Sequence, residues 1–284
     1  MFARGVELLI DGLARGMILS LLGLGITLVF GLGGILNLML GVFAVIAVIA
    51  CSLLLGVVPE LLVAGLGGVV AVALFAFALD RSVLSLVYRE EGEDRVLLGI
   101  FVTLGLSLLF EGLLFVFLAG SYFLESDVPS VSVVGAGITG SSMAVIVSAG
   151  VLFGLIYYFF NHTYLGVATR TVIQDETGAI LCGIRPRRVQ SIVFVLSAAI
   201  AAAGGILYAL DAEVTPASAF ELTTFAIMVS IVGGVDSIRG TVAAGIILGI
   251  VITVAGALFG SYLSTVTLFA VAIAVLIYKP EQIS

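Results

Sequence analysis

Apolar and small residues fill long stretches of the chain on every helical face. Predominantly apolar runs extend over about 17–36, 42–58, 61–79, 96–119, 142–160, 189–210, 222–235, 241–260 and 262–278, and most approach the roughly 20 residues that an α-helix needs to cross a bilayer. Membrane β-strands would instead alternate apolar and polar residues, and the run from Ala198 to Gly204 contains no polar side chain. The pattern predicts an all-α, polytopic membrane protein with about eight to nine transmembrane helices. The run 222–235, at about 14 residues, is short for a crossing and suits a half-helix. Small residues recur four apart in Gly150/Gly154, Gly245/Gly249 and Gly256/Gly260. Such spacing predicts close approach of helix backbones, because lipid supplies no hydrophobic drive for association.

The polar segments between the runs set an expected orientation. Segment 161–189 holds Arg170, Arg185, Arg187 and Arg188, and segment 80–95 holds Arg81, Arg89 and Arg95; positive loops belong on the cytoplasmic side. Segments 120–141 and 211–221 have no Arg or Lys and carry Glu125, Asp127, Asp211, Glu213 and Glu221, so they are expected outside. Counting back puts the N-terminus outside, although Arg4 and Arg15 argue for inside and a broken segment at Asn37 to Gly41 would alter the count. Counting forward puts Lys279 and the C-terminus inside if 222–235 crosses fully. A first run of spanning length with no small-x-small cleavage site argues against a cleaved signal peptide.

Composition agrees and narrows the chemistry. Of 284 residues, 62% are hydrophobic and 10% charged, against roughly 25% charged in soluble domains. The length accommodates a single transmembrane domain over 1–284 and no second, soluble one. A net charge of −7 argues against nucleic acid as a partner. Cys51 and Cys182 form no disulfide framework or metal-ligand spacing. His162, the only histidine, follows Asn161 at the end of an apolar run and reads as an interfacial side chain, so no Ser/His, His/Glu or Cys/His constellation can be assembled. Lys279, the only lysine, has neither the preceding glycines nor the following Ser/Thr of a Walker A loop. No ATP hydrolysis and no cofactor are expected of this chain. Glu111 lies inside 96–119, where a charge is costly; it is a proton relay, a substrate contact, or a carboxyl protonated or paired within the bundle. Asp236 and Arg239, three apart, would pair if their turn is helical.

Four ordered stretches resemble a known family. Gly166-x-x-x-Arg170 is followed by Asp175, Ala179 and Gly183-Ile184, in a stretch of helical character ended by Gly183 and Pro186. It leads into Phe194 to Ala199 (FVLSAA) and Ala203-Gly204-Gly205. Gly23 to Gly41 reads GLGITLVFGLGGILNLMLG, Thr103 to Ser107 reads TLGLS, and Ile231 to Gly240 reads IVGGVDSIRG. Together these resemble the permease subunits of ABC importers for branched-chain amino acids. The chain departs from that family at Met39 and Leu40, where Ala-His is usual, and at Asp236 and Arg239, where Gly and Pro are usual. Those departures bear on the substrate more than on the role.

On spacing alone, segment 161–189 is either a solvated loop whose arginines set topology or a lever for a partner. The resemblance implies the latter: a coupling loop docking into a separate ATPase through Gly166, Arg170, Asp175, Ala179, Gly183 and Ile184. It also implies two ATPase subunits, a second related permease, an extracytoplasmic substrate-binding protein and a plasma-membrane location. Irregular backbone at membrane depth is tolerated only where it is buried in protein or lines a cavity. Asn37, Gly41, Glu111, Gly233 and Gly234 are therefore candidates for the translocation pathway; for Asn37 the alternative is a helix cap, and for the glycines it is packing alone. Leucine-like amino acids are the implied solutes, with urea or short amides as alternatives. An ion-coupled secondary transporter is the competing class, weakened by Glu111 being nearly alone.

Overall fold

Four charged residues, Arg4, Glu7, Asp11 and Arg15, separate the start of the chain from its first continuous apolar run, yet the first helix passes straight through them. In a computed structural model, which describes residues 2–33, 36–88, 90, 92–126, 128–133 and 136–278, helix α1 spans Phe2–Gly33. Its early start corrects the expected onset near residue 17. The added turns hold because their charges find partners: Asp11 Oδ1 accepts from the Ser142 hydroxyl at 2.7 Å, and Arg15 Nε donates to Asp211 Oδ2 at 2.8 Å. Gly12 and Gly16 lie directly on the backbone of the eleventh helix; a Cβ at either would come within 2.9 Å of Ile250 Cα or 2.7 Å of Ile246 Cα.

The remaining elements, among the described residues, are α2 (Leu40–Leu55), α3 (Leu61–Leu79), a π-helical turn (Asp80–Leu84), α4 (Ser85–Val87), α5 (Gly92–Phe117), β1 (Val131–Val133), β2 (Ala136–Ile138), α6 (Gly140–His162), α7 (Tyr164–Gln174), α8 (Glu176–Leu181), α9 (Pro186–Tyr208), α10 (Ser218–Gly233), α11 (Ile238–Phe259) and α12 (Ser261–Tyr278). Over the described residues each of the nine apolar runs lies within a helix, apart from a few residues at its ends. Among the described residues, six helical stretches are long and apolar enough to cross a membrane, and three are shorter: Leu40–Leu55, Ser218–Gly233 and Tyr262–Val275. Arg89, Asp127 and Lys279 lie outside the described residues. The two strands form an antiparallel ribbon pairing Val131 with Ile138. This ribbon and the α7–α8 loop mark opposite ends of the bundle, because α6 runs from one to the other.

Helix α1 is the axis of the bundle. From the ribbon end it passes Ser197, whose hydroxyl donates to the Gly25 carbonyl at 2.8 Å, then Ser230 and Thr241, each 2.8 Å from the Thr27 hydroxyl. It ends beside Asp236 in the turn between α10 and α11. Before α2 begins, residues 36–39 lie within the bundle, and Gly41 lies against Ala219 and Thr223 in the opening turns of α10. Helix α2 is thus a short helix that starts within the bundle. Phe43 in α2 meets Phe75 of α3 and Phe194 of α9 edge to face, each at 6.0 Å, and Phe75 meets Phe110 of α5 at 4.9 Å, an arrangement aromatic quadrupoles favour.

Close helix approach occurs where one glycine pair predicts it and fails at two others. Gly245 and Gly249 of α11 face Ser20 and Gly16 of α1 with no room for a Cβ. A Cβ added at Gly150 or Gly154 would meet nothing within 4 Å, and one at Gly256 would come no closer than 3.7 Å, to Ser264. Those faces are open to the surroundings. Leu62, Leu66, Phe101, Leu108, Val116 and Tyr262 are exposed as well, an apolar belt suited to hydrocarbon and not to water.

At the loop end, the Asp80 side chain is fully buried in the π-helical turn. Arg187 Nη1 donates to its Oδ1 at 3.0 Å and Nη2 to its carbonyl oxygen at 3.1 Å, while the guanidinium covers the Tyr88 ring at 4.2 Å. This contact locks the first turn of α9 to the end of α3.

Candidate functional site

The break between α1 and α2 exposes backbone groups that neither helix can satisfy, and inside a membrane protein such groups need partners. Two threonines supply them. The Thr103 hydroxyl lies 3.0 Å from the Leu36 carbonyl, to which it can donate, and accepts the Leu38 N–H at 3.3 Å. Thr223 Oγ1 accepts the Gly41 N–H at 2.9 Å. Asn37 closes the turn itself, its Oδ1 accepting the Met39 N–H at 3.1 Å in an Asx turn; the N-cap of α2 is Met39, which has no side-chain cap. The Asn37 Nδ2, fully buried, has no hydrogen-bond partner among the described residues. Gly41 is required sterically, since a Cβ would run into the Ala219 carbonyl.

Beside this break lies an open groove of about 370 Å³ between α5, α10 and α12, walled at one corner by Leu38. Helix α5 presents Leu104, Ser107, Leu108 and Glu111, the i, i+3, i+4, i+7 positions of one helical face. Across from it stand Thr223, Thr224, Ile227, Met228 and Ile231 of α10 and Phe269 and Ile273 of α12. The lining is apolar apart from hydroxyls and one carboxyl, and it contains no Arg or Lys. Glu111 is half-exposed in the groove and has no hydrogen bond or ion pair among the described residues. A chemistry-bearing residue foreseen from sequence therefore sits in a cavity. Its neighbours Leu104, Ser107 and Leu108 were missed as site residues, although their helical spacing from Glu111 is the signal that finds them.

Gly233 and Gly234 fall outside the groove lining. They form the tight turn between α10 and α11, where Gly234 adopts φ +91 and Gly233 abuts Thr241 and Gly240 so closely that a Cβ has no room. Ser237 caps α11 by accepting the Gly240 N–H at 3.1 Å. Asp236 and Arg239 make no ion pair among the described residues, because Asp236 precedes the helix that holds Arg239.

At the loop end, Thr163 caps α7 by accepting the Gly166 N–H at 3.1 Å. Gly166 packs on the end of α6, where a Cβ would come within 2.6 Å of Phe160 Cα. The inner face of α7 buries Gly166, Ala168, Thr169 and Val172. Asp175, in extended conformation, turns the chain from α7 into α8. Ala179 is fully buried, and its carbonyl accepts the Ile184 N–H at 2.9 Å while Gly183 at φ +80 reverses the chain, the glycine-dependent helix ending. Arg170 is exposed, with Tyr164, Val167, Ile173, Ile180 and Leu181 exposed around it. Of the six loop residues foreseen, Gly166, Ala179, Gly183 and Ile184 shape the loop, whereas Arg170 and Asp175 face out. Arg95 Nη1 of α5 reaches Glu176 Oε2 of α8 at 3.4 Å. His162 stacks on Tyr158 with centroids 5.2 Å apart.

A polytopic helical bundle with an apolar belt, a helix broken inside the bundle and a solute-sized groove beside the break is a membrane transport component. The chain belongs to the family described as the branched-chain amino acid transport system permease component, whose model matches residues 8–277. Permeases of this family are transport subunits of the inner membrane, and ATP hydrolysis and substrate capture reside on separate partner subunits. The chain is 28% identical over 296 residues to the high-affinity branched-chain amino acid transport system permease protein LivH of Salmonella typhimurium, and equally to LivH of Escherichia coli; each match covers 98% of this chain and 94% of the relative. It is 26% identical over 304 residues to BraD of Pseudomonas aeruginosa, covering 98% and 95%. Among solved structures it is similar in fold to a chain of PsaBC from Streptococcus pneumoniae in complex with Fab, with a TM-score of 0.51 at 11% identity, covering 94% and 90%.

Proposed function

We propose that this chain carries branched-chain or other small apolar amino acids as one permease subunit of an ATP-driven importer, with the α5–α10–α12 groove forming its half of the solute pathway. The observation that carries this reading is the groove lining, which among the described residues has apolar walls, a single unpaired carboxyl, Glu111, and no cation. A leucine-like solute offers a branched apolar side chain to those walls and an ammonium to that carboxyl. Urea or a short amide would want more hydrogen-bonding groups than Ser107, Thr223 and Thr224 provide. The groove is open along one side, which fits a second, related permease closing it.

The α7–α8 loop is the ATPase contact in this reading, and Arg170, Asp175 and the exposed apolar side chains around them form its docking face on the cytoplasmic side. One pair of ATPases, one second permease and one extracytoplasmic binding protein complete the assembly. The test is uptake of labelled leucine into vesicles containing the chain co-assembled with its ATPase and binding-protein subunits. Uptake should require ATP and the binding protein, and Glu111→Gln should lower it while assembly stays normal. Uptake driven by an ion gradient without ATP would overturn the reading.

A further inference from the structure

A second cavity, of about 510 Å³, lies at the ribbon end between α1, α9, α10, α11 and α12, with Ile18, Leu19, Phe225 and Ile252 among its lining. Arg15, Asp211, Glu221 and Tyr208 also line it. Arg15 uses only Nε on Asp211, which leaves both Nη groups without a hydrogen bond among the described residues. Glu221 makes no ion pair or hydrogen bond among them either. An independent observation comes from Thr253, which lines the same cavity, is 8% exposed, and has a hydroxyl with no partner among the described residues. Other helical threonines here return the hydroxyl proton to the carbonyl four residues earlier, as Thr169, Thr171, Thr224 and Thr267 do at 2.7 to 3.0 Å. Thr253 forgoes that bond, and a buried hydroxyl without a partner is costly.

We propose that this cavity binds a small zwitterion attached to an apolar body. Its primary ammonium pairs with Glu221, its anionic group takes the free Nη donors of Arg15 and the Thr253 hydroxyl, and its apolar part lies against Ile18, Leu19 and Phe225. The volume is within the ordinary range for small-ligand sites. Two sources share this chemistry: a free apolar amino acid arriving from the aqueous side, and the headgroup of an ethanolamine phospholipid arriving from the bilayer. The assignment is independent of which solute crosses through the groove.

Native mass spectrometry of the full-length, delipidated chain tests it, with leucine, phosphatidylethanolamine and phosphatidylglycerol added separately. The wild type should retain leucine or phosphatidylethanolamine at least ~10-fold better than phosphatidylglycerol, which lacks the ammonium. Glu221→Gln should weaken that binding by ~10-fold or more. Thr253→Val keeps the side-chain shape and removes an unpaired hydroxyl, so it should fold normally and weaken binding by ~5-fold. Loss of leucine in both variants identifies the amino-acid source, and loss of phosphatidylethanolamine in both identifies the lipid. Equal retention of both lipids without leucine binding, retention of no ligand, or binding indifferent to either substitution overturns the proposal. Leucine binding lost in Glu111→Gln but kept in Glu221→Gln also overturns it, because the ligand then sits in the groove.

Discussion

Removing the Arg187 side chain isolates a carboxylate that has no access to water. Asp80 is fully buried and receives two hydrogen bonds from that guanidinium, one on Oδ1 and one on its carbonyl oxygen, while its Oδ2 has no partner among the described residues. Breaking a fully buried ion pair from one side costs about 3–5 kcal/mol. The Arg187 side chain is 36% exposed, so solvent screening reduces the expected loss to about 2 kcal/mol for Arg187→Ala, with about 0.5 kcal/mol more for the contact over Tyr88. Asp80→Asn keeps an acceptor for Arg187 and should cost about 1 kcal/mol. The double replacement Asp80→Leu/Arg187→Met removes both charges, and apolar substitution of a whole buried pair is often neutral. It should therefore be more stable than Arg187→Ala alone. Equilibrium unfolding in mixed detergent micelles, run as a double-mutant cycle of Asp80→Leu, Arg187→Met and their combination, measures the coupling, expected at about 1 kcal/mol or more. A coupling below about 0.5 kcal/mol would refute the claim that this pair locks α9 to α3.

Gly249→Ala should destabilise the fold by about 2 kcal/mol or more because the added methyl meets the α1 backbone at Gly16, whereas Gly150→Ala, with nothing within 4 Å, should leave the unfolding midpoint of the isolated chain unchanged. Thr103→Val should cost about 1–3 kcal/mol by leaving the Leu38 N–H unpaired, and limited proteolysis should find the α1–α2 segment more readily cut. Arg170→Glu should leave membrane insertion intact and weaken co-purification of the ATPase subunit; unchanged recovery would remove the loop from the docking face. Burial first, and the Asp80 carboxylate second, push the Tyr88 phenol up from its ordinary value, with Arg187 and Arg95 pulling the other way. Its contribution to stability is full below about pH 10 and lost as pH rises toward the raised value; Tyr88→Phe should flatten that alkaline limb of the stability profile.

The helical runs were legible in sequence because a bilayer demands unbroken apolar length, and no competing structure satisfies the backbone there. The first helix was only half legible: Arg4, Glu7, Asp11 and Arg15 interrupt the apolar pattern, and the partners that license two of them, Ser142 and Asp211, lie 131 and 196 residues away. Glycine spacing was ambiguous for a similar reason. Gly245/Gly249 and Gly150/Gly154 have the same pattern, and only the position of α1 decides that the first pair is covered while the second is bare. Glu111 was legible as a costly charge, but the hydroxyls of Thr103 and Thr223 were not legible as supports. Within a helix a threonine usually bonds its own turn, and nothing local shows that it also holds a distant strand of backbone.

Helix α5 joins the proposed docking loop to the proposed solute groove. Its first turns carry Arg95, bonded to Glu176 of α8 in the proposed docking loop. Two turns later Thr103 holds Leu36 and Leu38 in the break before α2, and two turns beyond that Glu111 stands in the groove. Over the described residues α5 is one uninterrupted helix, so a displacement of α8 that pulls on Arg95 moves the support of the broken segment and a wall of the groove together. The Arg187–Asp80 contact opposes such motion by tying α9, which follows the same loop, to the π-helical turn at the end of α3. A loop held to one rigid helix by a weaker, partly exposed ion pair at 3.4 Å and to the bundle by a stronger one at 3.0 Å with a fully buried carboxylate can transmit a push along α5 while α9 and α3 stay fixed. Severing the weak link should therefore cost more transport than stability, and severing the strong one more stability than transport. Arg95→Gln and Arg187→Gln, compared by ATP-driven uptake and by unfolding midpoint, should show that inversion; two variants that lose both properties in the same proportion would refute the division of labour.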